Sequence, residues 1–215
     1  MTDAAPDRIE ALEARNRELE ERLRKVEDIQ EITALFSRWH YACSGGFDGI
    51  QAGRMEALEC LTDDATIEAK GIHEPGKGPK GREQYTEYWE YYYGDAGPLP
   101  YVFQTNLGDR VEVDGDTAVH YNDMLCFTQP RGMHKSVYGG SAEDSIGGTV
   151  DLDNPVLMIT HRVNHLVRTS DGWRVQKTTV DGGFRTNLKD LIGIPTKNQL
   201  PPLEERKEWR PPIRS

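Results

Sequence analysis

Val111-Glu112-Val113-Asp114-Gly115-Asp116-Thr117-Ala118-Val119 and Asn164-His165-Leu166-Val167-Arg168-Thr169-Ser170-Asp171-Gly172-Trp173-Arg174-Val175 decide how this chain folds. Each sets an Asp-Gly pair between runs rich in β-branched residues, the strongest short-range hairpin signal in a sequence. Two such hairpins behind a helical first half predict an α+β domain, a curved antiparallel sheet covered on one side by helices. That shape leaves a hollow between sheet and helices, where small-molecule chemistry can be placed.

Outward from the hairpins, strands are predicted at roughly 101–113, 117–128, 156–169 and 173–180. Upstream, 82–93 reads as a helix ended by Gly94 and Pro98, 63–69 as a strand, and 54–61 as a short helix. A core helix running through Ile29, Ile32, Leu35, Phe36, Trp39 and Cys43 stops at Ser44-Gly45-Gly46. Ahead of it, residues 7–28 carry Ile9, Leu12, Asn16, Leu19, Leu23 and Val26 at spacings of three and four. That is a heptad seam with Asn16 at an a-type position, where a buried Asn fixes register. It serves either an intersubunit coiled coil or an arm packed on its own domain. The expected organisation is an N-terminal helical extension (1–28), a domain (29–181) and a Pro-rich charged tail (182–215). Within the domain, 129–155 is a long polar insertion with the loop length of a lid or binding loop.

Composition narrows the function. A formal charge of −10 without a Lys/Arg cluster argues against nucleic acid. No apolar run approaches the roughly 20 residues a membrane span needs. The first residues, Met1 to Pro6, do not read as a signal peptide. Cys43, Cys60 and Cys126 are widely spaced, which suits small buried residues in a cytoplasmic protein better than a disulfide framework. No metal site is expected, because no His-x-x-x-His or His-x-His lies on a suitable element; His161 and His165 are four apart but on a strand. No Gly-x-Gly-x-x-Gly, Walker or Gly-x-Ser-x-Gly motif is present, so no nucleotide cofactor is expected.

The order of elements resembles the NTF2-like superfamily, and within it the SnoaL-like group of polyketide cyclases, scytalone dehydratase, bile-acid dehydratase and hexachlorocyclohexane dehydrochlorinase. The matching stretches are Ile29-Gln30-Glu31-Ile32, Leu61-Thr62-Asp63-Asp64-Ala65-Thr66-Ile67-Glu68, Thr105-Asn106, Val113 to Ala118, and Leu166-Val167-Arg168 through Gly172-Trp173-Arg174. The resemblance covers about residues 28–180 and implies a cone-shaped fold with a pocket inside the sheet. It also shows departures. Lyases of the group usually carry an aromatic residue on the first core helix and an Asp five residues later; Phe36 and Tyr41 hold those positions here. Many carry a His just before the Thr-Asn pair, where this chain has Val102 and Phe103. The usual Asp/His dyad is therefore not in register.

Candidate catalytic residues come from what remains. The core helix lines the cavity in this fold, so the resemblance points to His40, which shares a face with Phe36, and to its neighbour Tyr41. A His near neutral pH takes or gives protons, and a Tyr donates to an oxygen gaining charge. Asp48, after the Gly pair, is a candidate displaced carboxylate. On the helix at 82–93, Tyr85, Tyr88, Trp89 and Tyr92 share one face, which suits either core packing or a wall stacking on a flat ligand. Period two puts Ala118, His120, Asn122 and Met124 on one strand face, and Thr160, Arg162, Asn164 and Leu166 on another. Ala118 and Leu166 look like core positions, which turns His120, Asn122, Arg162 and Asn164 inward. Asn106 joins them, and His134, Lys135 or Tyr138 of the insertion is placed to complete the site. His40, Tyr41, Asp48, His120 and Arg162 are thus expected to be catalytic. Phe36, Tyr88, Trp89, Tyr92, Asn106, Asn122, Asn164 and Tyr138 are expected to bind substrate.

The expected function is a cofactor-independent lyase acting on an aromatic or polycyclic oxygenated small molecule, by dehydration or carbon–carbon cleavage. A phenolic substrate fits the aromatic helix, and the NTF2-like diarylpropane lyases of lignin-dimer breakdown are one subset it resembles. The alternatives are a steroid or polyketide isomerase or cyclase, and a non-catalytic binding module. A homodimer or homotrimer, held by sheet faces and the N-terminal helix, is expected.

Overall fold

Both Asp-Gly stretches turn the chain where the sequence predicts, but the two-residue loops fall one position differently in each. The first loop is Gly115-Asp116, closed by the pair Asp114 and Thr117. The second is Ser170-Asp171, closed by Thr169 and Gly172. There Thr169 Oγ1 accepts from the Asp171 amide at 3.2 Å and donates to the Gly172 carbonyl at 2.8 Å.

The computed structural model describes residues 4–46, 49–69, 76–93, 99–129 and 155–187. The elements are α1 (Ala4–Cys43), a 3₁₀ turn (Met55–Cys60), β1 (Leu61–Ala69), α2 (Gly81–Tyr93), β2 (Tyr101–Asp114), β3 (Thr117–Gln129), β4 (Val156–Thr169) and β5 (Gly172–Asn187). Asp48, Tyr138, His134 and Lys135, with most of the insertion and the end of the tail, lie outside the described residues. No helix among the described residues is long and apolar enough to cross a membrane.

The sheet has five strands in the order β1-β5-β4-β3-β2. β2 to β5 form the expected antiparallel meander, while β1 pairs in parallel with β5. This mixed edge differs from the wholly antiparallel sheet expected. Its cause is topological: β1 and β2 lie at opposite edges, so the chain between them must cross the sheet, and α2 is carried over it. A second difference concerns the domain's end. β5 runs past Asp181 to Asn187, pairing with the start of β4 at Val156. The Gly182-Gly183 pair reads as a break in the sequence, but an available strand edge keeps it extended.

Two apolar clusters fill the space between sheet and helices. One joins Ile32, Leu35, Phe36 and Trp39 of α1 to Tyr85, Trp89, Ala118, Leu166, Trp173 and Val175. The other gathers Ala52, Tyr92, Leu99, Val102, Met124, Cys126 and Val156. The three cysteines are buried and free.

α1 is one continuous helix of 40 residues, and burial begins abruptly within it. Residues 8–27 are exposed, while Asp28 is 4% exposed. Asp28 Oδ1 accepts from Arg168 Nη2 at 2.5 Å and from Trp173 Nε1 at 3.2 Å. Arg168 stacks over the Trp173 ring at 4.5 Å and donates from Nε to Asp116 at 3.0 Å. Arg24, one turn before Asp28, reaches Asp116 at 3.4 Å. The helix is thus clamped to the β2–β3 and β4–β5 turns where it enters the domain.

Burial works to raise the Asp28 carboxyl, but the hydrogen bonds and charge of Arg168, with Trp173 and Arg24, outweigh it and hold the group below its ordinary 3.8. The folded state therefore binds the Asp28 proton less readily than the unfolded chain. The stability this adds is present above the ordinary value and is lost as pH falls through the lowered one. Asp28→Asn should cost about 2 kcal/mol in urea unfolding at neutral pH. The gap should close in acid, below about pH 4. A pH-independent difference would show that the carboxylate charge is not what the clamp uses.

Candidate functional site

Between α2 and the sheet lies a cavity of about 120 Å³. Ile67 and Ala69 of β1, Tyr88, Tyr92 and Tyr93 of α2, Leu99, and Val102 and Gln104 of β2 line it. Met124, Cys126 and Thr128 of β3, Met158, Thr160 and Arg162 of β4, and Val180 and Asp181 of β5 complete the wall. Every strand contributes, as expected when a sheet curls around a hole. The size admits about one aromatic ring, since a dry cavity of roughly 150 Å³ holds benzene.

The polar inventory of this region is unusual. Arg162 lies on the cavity wall, and its Nε is buried without a hydrogen-bond partner. Among the described residues it makes no ion pair. Tyr85 Oη, Thr160 Oγ1 and both ring nitrogens of His40 are also buried and unpartnered. Each such atom costs about 1–3 kcal/mol unless something fills it. His40 is 3% exposed. Burial, then the positive charge of Arg162, then His120, drive its pKa down from 6.5 to about 3, so the ring is neutral at physiological pH. Burial raises the phenols of Tyr85, Tyr88, Tyr92 and Tyr93, so all four are neutral hydrogen-bond donors. Arg162 opposes that rise at Tyr85, Tyr88 and Tyr93. Tyr88 and Tyr92 pack at 4.5 Å and share a hydrogen bond. Burial pushes the thiols of Cys43 and Cys126 up to about 12, which makes them inert walls.

Beside this region, five side chains close a hydrogen-bonded ring. His120 Nε2 meets Asp109 Oδ1 at 2.6 Å, and His120 Nδ1 accepts from Asn164 Nδ2 at 3.2 Å. Asn164 Nδ2 also donates to Asn122 Oδ1 at 3.1 Å, Asn122 Nδ2 to Asn106 Oδ1 at 2.6 Å, and Asn106 Nδ2 back to Asp109 Oδ1 at 3.0 Å. Thr178 on β5 donates to Asn164 Oδ1 at 3.0 Å. The circuit needs the hydrogen of His120 on Nε2, which fixes one tautomer. Burial lowers the His120 pKa against the pull of Asp109. Phe36 stacks on the ring at 3.9 Å. Both nitrogens of His120 are therefore occupied, and it does not lie on the cavity wall.

The predicted residues separate accordingly. Arg162, Tyr88 and Tyr92 come together at the cavity, with His40 buried within reach of the Arg162 charge. His120, Asn106, Asn122 and Asn164 satisfy one another; Phe36 covers His120. Trp89 is a core residue whose Nε1 donates to the Gly53 carbonyl at 2.6 Å. Gly53 has a positive φ of 65°, and a Cβ there would lie 2.1 Å from Tyr93, so a glycine lets the aromatic helix close down. Tyr41 is 71% exposed and lies outside this cavity; with His40, Asn106 and Asp109 it lines a separate, more open hollow of about 470 Å³. Arg54 stacks on the Tyr41 ring at 4.8 Å and donates to its carbonyl and, at 2.9 Å, to that of Ser44, capping the helix end. An aromatic and a polar position five apart do not share a helix face, which is why Tyr41 points away from Phe36.

Asp109 was not among the residues predicted. The register of β2 shifts between Leu107 and Asp109, so one extra residue brings Asn106 and Asp109 to one face instead of Asn106 and Gly108. Gly108, at φ 71°, is the visible signal, because an isolated glycine in a strand marks a bulge. Tyr85 and Thr160 had been placed on the correct faces but given no role. Among the described residues no group of three His, Cys, Asp or Glu is arranged to hold a metal.

The family model for the SnoaL-like domain matches residues 24–179, from the clamp on α1 into β5. The chain belongs to the SnoaL-like domain family. No curated protein matches it in sequence. Solved structures share the fold at low identity. An NTF2-like protein with a cystatin-like fold from Novosphingobium aromaticivorans is 19% identical over 76% of this chain and 86% of its own, with a TM-score of 0.50. A scytalone dehydratase-like protein of the same organism is 11% identical over 76% and 89%, with a TM-score of 0.55. A type 2 hexachlorocyclohexane dehydrochlorinase is 18% identical over 78% and 90%, with a TM-score of 0.53. The SnoaL-like domain here thus has the NTF2-like cone, a fold whose members include dehydratases and dehydrochlorinases.

The His40 environment of this SnoaL-like domain has a measurable signature. The unfolded chain takes up a proton near pH 6.5 that the native ring refuses until about 3. Stability from the neutral ring is present above the first value and is lost as pH falls towards the second. The loss amounts to at most about 1.4 kcal/mol per pH unit. His40→Gln should flatten the slope of unfolding free energy against pH by up to that amount. Imidazole NMR should show one histidine neutral from pH 8 down to about 4. A His40 resonance titrating near 6.5 would contradict the buried, Arg162-facing placement.

Proposed function

We propose that the chain is a cofactor-independent lyase acting on a single-ring phenolic unit by acid–base elimination. The observation that carries this is Arg162: a half-buried cation on the wall of a tyrosine-lined cavity, with its Nε buried and unpartnered, with no ion pair among the described residues, and with its charge felt by a neutral His40. Such a cation is costly when the cavity is empty and strongly favourable when an oxygen beside it gains negative charge. The neutral Tyr85 phenol and the Thr160 hydroxyl supply further hydrogen bonds to the same oxygen or to a departing one.

In the proposed cycle the substrate's phenolic ring enters the cavity and Arg162 stabilises the phenolate that forms as the proton leaves. His40 accepts that proton. Burial first and the Arg162 charge second hold its pKa down, and an anion lying between the two side chains offsets the second of these and stabilises the imidazolium. Electrons pushed from the phenolate expel a benzylic hydroxyl, which takes a proton from Tyr85 and leaves as water, giving a quinone methide. The Tyr85 phenolate can then take the hydroxyl proton of a neighbouring hydroxymethyl group, which leaves as formaldehyde. The carbon–carbon bonding pair flows into the quinone methide and re-forms the substrate phenolate, to which His40 returns its proton. This is the carbon–carbon cleavage proposed for the diarylpropane lyases that the sequence resembles. The dehydratase and dehydrochlorinase described above share this fold, and both names denote eliminations.

Isomerisation of a steroid or cyclisation of a polyketide would use similar groups, but a hole of about 120 Å³ is tight for several fused rings. A non-catalytic binding module has no need of a neutral imidazole buried without a hydrogen-bond partner within reach of the Arg162 charge.

The test is an ultraviolet assay of the purified chain against phenolic benzylic diols, steroid enones and non-phenolic methyl ethers. A new extended chromophore is expected from the phenolic diols alone. Arg162→Met should lower kcat/KM by at least about 100-fold, and His40→Gln and Tyr85→Phe by about 10- to 100-fold. Tyr41→Phe should leave turnover unchanged. Equal turnover of phenols and their methyl ethers, or full activity in Arg162→Met, would overturn the phenolate mechanism. A shifted enone band would favour the isomerase.

A further inference from the structure

We propose that residues 8–27 of α1 pair with a second copy of this chain as a parallel, in-register, two-stranded coiled coil. The apolar positions Ile9, Leu12, Leu19, Leu23 and Val26 are 58, 55, 48, 58 and 51% exposed, a continuous stripe on a helix that leaves the domain. With Asn16 they occupy alternating a and d positions of a heptad.

Three observations identify the occupant. First, the stripe faces away from the chain's own core. In the same heptad register Asp28 and Leu35 are f positions, Ile32 and Trp39 are c positions, and all four are buried in the domain. Positions f and c lie across the helix from the a/d seam. A straight helix cannot turn both faces to one body. Second, the clamp grips the back. Arg24 at b and Asp28 at f make the contacts to Asp116 and Arg168, so the domain leaves the seam clear.

Third, the charges flanking the seam are complementary to themselves in one orientation. The g positions are Arg8, Arg15 and Arg22, and the e positions are Glu13, Glu20 and Glu27. In a parallel pair each g residue faces the next e residue across the seam, so Arg8, Arg15 and Arg22 meet the partner's Glu13, Glu20 and Glu27. In an antiparallel pair g faces g and e faces e, putting arginine on arginine and glutamate on glutamate. The pattern selects a parallel self-pair and rejects the reverse. Asn16, at the central a position, then lies opposite itself, which favours two strands over three and fixes the register.

The test uses the full chain in sedimentation equilibrium across a concentration series. The native chain should dimerise. A Glu13→Arg/Glu20→Arg/Glu27→Arg chain and an Arg8→Glu/Arg15→Glu/Arg22→Glu chain should each self-associate about 100-fold more weakly, or not at all. Mixed in equal amounts, the two should recover a heterodimer, because their flanks are again opposite. Circular dichroism of each variant alone separates loss of pairing from loss of folding. A Leu12→Cys chain should form a disulfide dimer with oxidised glutathione, since Leu12 lies over its own counterpart only when the strands are parallel and the native cysteines are buried. A monomeric native chain overturns the proposal. So does a reversed-charge chain that still dimerises as tightly as native, and so does the failure of two folded reversed chains to pair with each other.

Discussion

Five polar side chains hydrogen-bonded in a closed circuit set the register of the sheet. Asp109, His120, Asn164, Asn122 and Asn106 come from β2, β3 and β4, and Thr178 ties the circuit to β5. A slip of one residue on any strand would send its member to the opposite face and leave His120, Asn122 and Asn164, the buried members, short of partners. An apolar layer tolerates such slips more easily, because its contacts are not directional. The circuit therefore has a consequence beyond its own stability. It fixes Arg162, one alternation from Asn164 on β4, on the inner face.

Given that placement, two opposing effects decide the character of the cavity. Desolvation resists every charge there, and it wins at His40 and at the tyrosines, all of which stay neutral. Arg162 contributes a guanidinium, the planar cation that proteins use where a charge must meet an anion edge-on. The hollow thus combines one fixed cation with several uncharged donors and acceptors. That combination is the one the proposed phenolate chemistry would use. The Asp–His pair in this chain lies outside that cavity, with both imidazole nitrogens engaged. Its form resembles a base with an orienting carboxylate, but its saturation makes it an element of architecture.

Much of this was legible in the residues. The hairpins, the order of helices and strands, and the inward faces of β3 and β4 follow from Asp-Gly turns and period-two alternation, which are local properties. Arg162 and Tyr88 were reachable because alternation and helical spacing carried them inward. Asp109 was not, because its face depends on a bulge at Gly108 whose position a regular alternation hides. Tyr41 lies outside the cavity at α2 because a residue five positions along a helix from Phe36 does not share its face. The parallel edge at β1 and the extension of β5 through Gly182-Gly183 depend on which neighbouring edge is free, a non-local property that no short stretch encodes.

The uninterrupted helix through Val26 and Asp28 couples the exposed apolar seam to the buried half by rotational phase. Each residue turns the rod by about 100°. One residue gained or lost between the exposed seam and the buried half would swing the domain a quarter-turn or more around the rod, even with every contact on either side intact. A change of seven residues would nearly restore the phase. Besides the identity of Asp28, the number of residues between Val26 and Ile32 is thus constrained, and insertions that the surface loops absorb easily would change the angle between seam and domain here.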